Sequence, residues 1–329
     1  MDLLAVARDV PQRGTGNLVA IGKWDGVHLA HQTIISALVA EARSTAGQAV
    51  VMGFHPLPMA VLRPDKAPPV LQTLEERAEV MAALGVDVHL ALPFNREFAD
   101  MTPEEFVRDV LVDQLKASQV MVGFNNTFGR GGKGTAETLT RLCEPYGIPV
   151  HIFPPVRCEG ESVSSSEVRL AVAGGEMERA ARLLGRFFSI TGAVVHGDKR
   201  GRQIGYPTAN ISLAAGRQLP ANGVYVARVT ILDPADACKG SLPCEVTPRT
   251  GPSYGAMLNL GWRPTFQGRD LRCEAHLLDF QGDLYGKELR VEFLHRLRTE
   301  QTFKGIDALK AQLAMDEAQT RDWLVDQHG

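Results

Sequence analysis

The stretch HGDKRGRQIGYPTAN (His196–Asn210) follows a short apolar segment and combines three glycines with cationic side chains and a Pro-Thr-Ala-Asn turn. Glycines let backbone amides approach an anion, and Lys or Arg side chains neutralise its charge. The hydroxyl of Thr208 and the amide oxygen of Asn210 suit a Mg²⁺–phosphate. The spacing is not GxxxxGK[ST], so the stretch predicts a phosphate site outside the ordinary P-loop class. The candidate phosphate-binding residues are Gly197, Lys199, Gly201, Gly205, Pro207, Thr208 and Asn210, and the candidate metal ligands among them are Thr208 and Asn210.

Short segments of alternating polarity lie on both sides of this stretch. They span residues 187–196, 223–231, 256–260, 271–278 and 289–294, with turn residues between them. A helical pattern follows, and Ile306, Leu309 and Leu313 begin its apolar stripe. Short strands followed by a single helix predict a small antiparallel β-barrel with a C-terminal helix.

The N-terminal half alternates apolar runs with helical patterns. The runs span residues 18–22, 48–54, 86–92, 119–123 and 149–153, and they are nearly continuous, as expected for strands covered on both faces. Thr73 and Thr102 head capping boxes of two intervening helices. This order predicts a Rossmann-like parallel sheet with helices, whose ligands bind at the carboxyl ends of the strands. The change of pattern predicts two domains, residues 1–183 and 184–329.

Composition narrows the class of protein. The chain has 329 residues, of which 44% are hydrophobic and 22% charged, enough for two cores. A net charge of −3 without a basic tail argues against nucleic acid as a partner. No apolar run approaches the ~20 residues of a membrane span, and the N-terminal apolar stretch is too short for a signal peptide. A cytoplasmic protein is expected, and its oligomeric state stays open.

The cysteines predict no shared site. Cys143, Cys158, Cys238, Cys244 and Cys273 are irregularly spaced, without the pattern of a disulfide framework or a zinc site. Cys238 and Cys244 fall in a Pro- and Gly-rich insertion, residues 233–255, which we expect to be a surface loop. Two exposed thiols without function are expected there, with a reactive or metal-binding pair as the alternative.

Two histidines mark the loop that leaves the first predicted strand of the N-terminal domain. In GKWDGVHLAHQ (Gly22–Gln32), His28 and His31 lie where the loop enters a helix. Their imidazoles can join the helix N-terminus in holding a polyphosphate. The alternative is a pair of surface or helix-capping histidines, but the flanking strand and glycine-rich turn favour the phosphate site.

A carboxylate stands on the open face of one predicted barrel strand. In LRCEAHLL (Leu271–Leu278) the odd positions are apolar, so Arg272, Glu274 and His276 share the other face. Glu274 can accept a proton there, although an isolated glutamate on a strand face would ordinarily be only solvated.

Together these motifs resemble the prokaryotic bifunctional riboflavin kinase/FAD synthetases. GKWDGVHLAHQ resembles the family's GxFDGVHxGHQ motif, and the PTAN turn, NLGWRPTF (Asn259–Phe266) and the stretch from Asp279 to Phe303 resemble its kinase motifs. The resemblance implies ATP, riboflavin and FMN as substrates and Mg²⁺ as cofactor. It also implies that Glu274 is the general base for riboflavin phosphorylation, with Asn259, Arg298 and Glu300 as weaker candidates for the flavin and nucleotide pocket.

For the adenylyltransferase half, the resemblance implies that His28 and His31 stabilise charge on the ATP phosphates. Further nucleotide-binding candidates are Gly22, Asp25, Gly26, Asn125, Ser164, Ser165 and Arg169. The sequence departs from the family pattern at Ala30, Leu57, Asn125 and Glu167. Ala30 replaces a glycine and would be strained if its φ were positive. For the glycine-rich GRGGKG, residues 129–134, a flexible loop and a binding loop remain equal alternatives.

Three functions follow, in order of preference. The first is a bifunctional enzyme that converts riboflavin to FMN and FMN to FAD. The second is a riboflavin kinase with a weak or altered adenylyltransferase domain, motivated by Ala30, Leu57 and Asn125. The third is a non-catalytic flavin- or nucleotide-binding regulator. The presence of Thr208, Asn210 and Glu274, the candidate metal ligands and general base, argues against this function.

Overall fold

The computed structural model describes residues 1–197, 201, 204–233, 242–265 and 268–326, and for residues 262–265 and 268–271 only the backbone. The chain divides into two compact units. The first comprises Met1–Ser165 and Asp236–Pro248, and the second comprises Ser166–Ala235 and Arg249–Gly329.

Strands form the centre of both units. In chain order they are β1 (Asp2–Leu4), β2 (Asn17–Ile21), β3 (Gln48–His55), β4 (Val88–Pro93), β5 (Ala117–Gly123), β6 (Val150–Phe153), β7 (Arg157–Cys158), β8 (Glu161–Ser162), β9 (Phe188–Val195), β10 (Ala209–Ile211), β11 (Gly223–Ile231), β12 (Cys244–Glu245), β13 (Ser253–Thr265), β14 (Gly268–Leu277) and β15 (Glu288–Arg298).

The helices alternate with strands in the first unit and flank the barrel in the second. They are α1 (Leu29–Ser44), α2 (Pro58–Leu62), α3 (Leu74–Ala83), α4 (Arg96–Ala99), α5 (Pro103–Glu105), which continues as a π-helix over Phe106–Gln114, α6 (Ala136–Cys143), α7 (Ser165–Gly174), α8 (Met177–Leu184) and α9 (Ile306–Asp326). Among these helices, none is long and apolar enough to cross a bilayer.

The first unit is built on a seven-stranded sheet of order β12-β1-β4-β3-β2-β5-β6. The strands from β1 to β6 pair in parallel, and β12 adds to β1 antiparallel. Because side chains alternate along a strand, β2 buries Val19 on one face and Leu18 on the other, each in its own core cluster. The predicted Rossmann-like architecture is confirmed, and Thr73 and Thr102 both form their capping boxes.

The second unit contains a closed antiparallel barrel of order β10-β14-β13-β11-β15-β9. This confirms the predicted β-barrel with a C-terminal helix. Of the predicted apolar stripe, Leu309 and Leu313 are half-buried, whereas Ile306 at the first helical position is 56% exposed. The same face continues with polar residues, because Asp316 and Thr320 are fully buried and Asp316 forms an ion pair with Arg298 of the barrel.

The insertion is more structured than the expected surface loop. Its residues Cys244 and Glu245 form β12, and Val246 is buried at 9% exposure in a cluster with Leu3. Cys244 is disulfide-bonded, so the expectation of a free thiol there is wrong; Cys238 lies outside the described residues. Cys143, Cys158 and Cys273 are not disulfide-bonded, as expected.

Candidate active sites

A row of polar side chains crosses three strands of the barrel. Asn210 of β10 lies opposite Glu274 of β14, and Glu274 in turn lies opposite Asn259 of β13. Directly opposed residues of antiparallel strands point to the same face, with Cβ atoms about 5 Å apart. Their neighbours Cys273 and Ala275 are buried at 1% and 0% exposure, which confirms the predicted alternation. The fold therefore places Asn210, Glu274 and Asn259 side by side.

Gly197 makes room for the side chain of Asn210. A Cβ atom on Gly197 would lie only 2.2 Å from Nδ2 of Asn210. The predicted role of Gly197 was backbone contact with a phosphate. In the structure this glycine also leaves the space that the Asn210 side chain occupies. Lys199, the predicted phosphate-binding cation, lies outside the described residues.

The remaining glycines of the stretch shape the turn before β10. The carbonyl oxygen of Gly201 accepts hydrogen bonds from the backbone N–H groups of Ile204 (3.1 Å) and Tyr206 (2.9 Å). Gly205 has a φ of +90°, which favours glycine. The turn leaves Pro207 and Thr208 exposed just before Asn210. Thr208 and Asn210 thus share one face of the chain, next to Glu274.

His276 holds this turn against β14. Its Nδ1 lies 2.8 Å from the carbonyl oxygen of Pro207, so Nδ1 carries the proton, since a carbonyl only accepts. Its ring also meets that of Tyr206 edge to face at 5.2 Å. His276 therefore has a structural role: it fixes the turn before Thr208 and Asn210, two residues along β14 from Glu274.

A second carboxylate borders the row. A Cβ atom on Gly261 would lie 1.7 Å from Oε1 of Glu300, so the Glu300 side chain covers that glycine. Gly261 lies opposite Arg272, whose Nη1 is 3.6 Å from Oε1 of Glu274. Glu300 and Arg272 therefore lie at the same end of the row, and the site is not a bare carboxylate on an exposed strand.

Arg298, a candidate for the flavin and nucleotide pocket, instead forms an ion pair with the C-terminal helix. Its guanidinium binds the fully buried Asp316 of α9 through Nε (2.9 Å) and Nη2 (2.7 Å). Gln312 donates a further hydrogen bond to Asp316, 2.8 Å long. The arginine predicted for the flavin and nucleotide pocket thus fixes the C-terminal helix to the end of β15.

In the first unit, the two histidines come together at the start of α1. His28 is the residue before the helix and is 5% exposed, and its ring stacks on that of His31 at 3.7 Å. Trp24 meets His31 edge to face at 5.1 Å. Ala30 lies in the first helical turn without a positive φ, so the strain considered for this substitution does not arise.

The loop before α1 is anchored on several sides. The carboxylate of Asp25 is 2% exposed and accepts the backbone N–H of Leu71 at 3.0 Å. The hydroxyl of Ser165 donates to the carbonyl oxygen of Asp25 at 2.8 Å. Gly22 packs against the Trp24 indole, and Gly26 has a φ of +89°. Asp25, Gly22 and Gly26 therefore shape the loop, and Ser165 is tied to it.

The other predicted nucleotide-binding residues are less closely grouped. Asn125 is exposed just after β5, at the same carboxyl edge of the sheet as His28. Ser164 precedes α7, whereas Arg169 belongs to the second unit. Glu167, which stands where the family has an arginine, binds Arg179 at 2.7 Å.

Comparison with known proteins identifies both halves. The family model described as FAD synthetase matches residues 10–167, and that of riboflavin kinase matches residues 184–324. The bifunctional riboflavin kinase/FMN adenylyltransferase of Escherichia coli K12 is 38% identical over 95% of this chain and 94% of its own length. The chain belongs to the bifunctional riboflavin kinase/FMN adenylyltransferase family.

Other relatives agree with this membership. The protein of the same name from Pseudomonas fluorescens is 36% identical over 98% of this chain and 97% of its own length, and that of Bacillus subtilis is 33% identical over 92% and 90%. A crystal structure titled as a macrolide-efflux protein from Streptococcus pneumoniae superposes with a TM-score of 0.83 at 33% identity, covering 98% of both chains.

Sequence reasoning did not single out Trp24 and Arg77, two residues that hold the loop before α1. Trp24 donates its indole N–H to the carbonyl oxygen of Met52 at 2.8 Å, and the buried Arg77 donates to that of Lys23 at 3.0 Å. Arg77 lies in the stretch LEERAEV, which reads as an ordinary charged helix face. No local signal distinguishes it, because its partner is 54 residues away.

Proposed function

We propose that this protein phosphorylates riboflavin to FMN and adenylylates FMN to FAD, using ATP in both reactions. Membership of the family supports both activities, and the observation that carries the kinase assignment is the pairing of Asn210 with Glu274 on adjacent strands. We further propose that residues 1–183 carry the adenylyltransferase and residues 184–329 the kinase.

In the kinase reaction, the oxygen of the terminal ribityl hydroxyl attacks the γ-phosphorus of ATP, and the bond to the β,γ-bridging oxygen breaks. Glu274 takes the hydroxyl proton, a role typically worth about 10²–10⁴-fold in rate. Asn259 and Asn210 flank this carboxylate on the two neighbouring strands. The triphosphate of ATP must also be held in line with the attacking hydroxyl. We assign this role to the segment 196–210.

Mg²⁺ fits the residues at this segment. Thr208 and Asn210 offer neutral oxygens, which suit an ion that draws its remaining ligands from water and substrate phosphates. Among the described residues, no cluster of three or more His, Cys, Asp or Glu side chains could hold a metal by itself. When bound, the ion neutralises charge on the transferred phosphoryl group.

In the adenylyltransferase reaction, a phosphate oxygen of FMN attacks the α-phosphorus of ATP, and pyrophosphate leaves. His28 and His31 lie at the N-terminus of α1, where imidazoles and the backbone N–H groups of the first helical turn both favour an anion. Ser165 and Asn125 are proposed to complete the nucleotide site.

A weakened adenylyltransferase is the second candidate function. Glu167 pairs with Arg179 instead of supplying a cation, and Asn125 and Leu57 depart from the family pattern. Backbone strain at Ala30 does not support this candidate, because Ala30 lies in α1 without a positive φ.

Chromatography of the reaction products tests these functions. The purified protein is given riboflavin and ATP, with and without Mg²⁺. FMN and FAD together support the bifunctional enzyme, FMN alone supports the weakened adenylyltransferase, and neither product supports a regulator. A His28→Ala variant that forms FAD from FMN at the full rate would remove the proposed role of His28.

The proposed partners are small molecules only, namely ATP, riboflavin and FMN. We propose a cytoplasmic location, where these substrates are available.

A further inference from the structure

We propose that Arg77 is a positioning residue for adenylyl transfer, holding the loop that precedes His28 in its active shape. The proposal rests on the proposed adenylyltransferase function. Arg77 lies on α3, is only 2% exposed, and its Nη1 donates to the carbonyl oxygen of Lys23 at 3.0 Å. A buried guanidinium that hydrogen-bonds a loop carbonyl is costly to desolvate, so its contact has to compensate for that cost.

The loop needs such a restraint. Trp24 and Val27 both have positive φ values, +56° and +40°, which are rare for residues with a bulky or branched side chain. Strained backbone of this kind persists only where its surroundings hold it, and it concentrates at functional sites. Arg77 holds the carbonyl directly before Trp24, and the carbonyl of Met52 holds the Trp24 indole.

Charge reinforces the contact. Burial lowers the pKa of Arg77, and the negative charges of Asp25 and Glu75 oppose this by favouring the protonated guanidinium. Asp25 is itself 2% exposed and receives the N–H of Leu71, so the buried cation attracts a carboxylate two residues beyond the carbonyl that it binds. Burial also lowers the pKa of His55 at the end of β3, and the charge of Arg77 lowers it further.

Through these contacts, Arg77 affects the position of His28 although Arg77 itself does not touch the substrate. Asp25 and His28 are three residues apart, and His28 is the residue from which α1 starts. Loss of the guanidinium releases the Lys23 carbonyl and removes the charge facing Asp25. The strained segment can then relax and move the imidazoles, whereas the apolar cluster that Leu74 and Ala78 of α3 form with Leu3 and Ala91 stays in place.

The test compares two variants of the full-length protein. Arg77→Met keeps the unbranched stem but removes both charge and donors. Leu74→Ala is the matched control, because Leu74 is buried on the same helix but packs in a cluster that contains neither Trp24 nor Val27. Steady-state FAD formation from supplied FMN gives kcat and the KM for ATP, and FMN formation from riboflavin in the same preparation is the internal reference.

The expected result is a fall in adenylyltransferase kcat for Arg77→Met of about 10- to 100-fold, the scale of small misplacements of catalytic groups. Kinase kcat stays unchanged, and Leu74→Ala lowers thermal stability without a comparable loss of adenylyltransferase kcat. Arg77→Lys, which restores the charge, recovers part of the loss. Equal adenylyltransferase kcat for Arg77→Met and Leu74→Ala would overturn the proposal.

Amide hydrogen exchange separates this proposal from the function on which it rests. The N–H of Val27 donates to the carbonyl of Trp24 at 3.3 Å, within the loop. Arg77→Met should speed the exchange of this amide at least tenfold relative to Leu74→Ala, whether or not the wild-type protein forms FAD. Unchanged exchange would contradict the inference, whereas absence of FAD formation by the wild type would contradict only the proposed function.

Discussion

Glu274 is the side chain on which the kinase proposal depends most directly. We expect Glu274→Gln to keep the side-chain volume and lower kcat for FMN formation by about 10²-fold or more, because the amide cannot accept the ribityl proton. FAD formation from supplied FMN should not change. Glu292→Gln is the matched control, since Glu292 pairs with Arg228 on the barrel surface. A Gln variant with wild-type kinase kcat would exclude Glu274 as the base.

His89 is the residue from which we expect a pH effect on stability. It is fully buried on β4, and burial, followed by the charges of Arg77 and His55, lowers its pKa from 6.5 to about 3. Below pH 6.5, His89 therefore binds a proton in the unfolded chain but stays neutral in the folded protein. Stability is complete above pH 6.5 and falls as the pH drops towards 3, by up to about 1.4 kcal/mol per pH unit.

Calorimetry of the first unit's transition between pH 7 and pH 4 measures this effect. His89→Leu should flatten the pH dependence, even though the substitution changes the core packing at every pH. A variant with the wild-type slope would show that other groups cause the acid sensitivity.

At the scale of elements, the sequence predicted those whose signal is local. Strands β2 to β6 coincide with the five predicted apolar runs, and each capping box lies within a single helical turn. β10 was missed because Ala209–Ile211 has only three residues and becomes a strand through its pairing with β9 and β14. The juxtaposition of Asn210 with Glu274 is set by that register, which no local pattern encodes. Arg77 was missed for the same reason, because its partner is distant in the chain.

Substitution of Gly197 tests whether the space beside the Asn210 side chain matters for the kinase reaction. In Gly197→Ala, the new methyl group would collide with the Asn210 amide, since its Cβ would lie 2.2 Å from Nδ2. We expect kcat/KM for ATP in the kinase reaction to fall about tenfold or more, because the amide leaves its place beside Glu274. Gly216→Ala is the control: it strains a φ of +72° but meets nothing within 4 Å. Equal kinetics of the two variants would contradict the role of Gly197.

At the scale of the whole molecule, order along the chain and order in space differ. Residues 236–248 lie between two barrel strands in sequence but belong to the first compact unit. Their strand β12 extends the parallel sheet, and the N–H of Val246 donates to the carbonyl of Met1 at 2.8 Å. Covering β1 in this way protects an edge that would otherwise expose unpaired backbone groups. The sequence indicated only an insertion rich in Pro and Gly, because its partner strand lies at the opposite end of the chain, at Asp2–Leu4.

Val246 therefore supports the stability of the N-terminal sheet from a position within the kinase sequence. It is 9% exposed and packs in a cluster with Leu3, Leu74, Ala78 and Ala91. Val246→Asp buries an unpaired carboxylate, and we expect it to destabilise the first unit by about 2 kcal/mol or more. A lower melting temperature by calorimetry and faster amide exchange of Leu3 and Leu4 would record the loss of stability. The control Val325→Asp, at a position that is 71% exposed, should change neither the melting temperature nor the exchange rates. If Val246→Asp matched that control, β12 would be only a passive addition to the sheet edge.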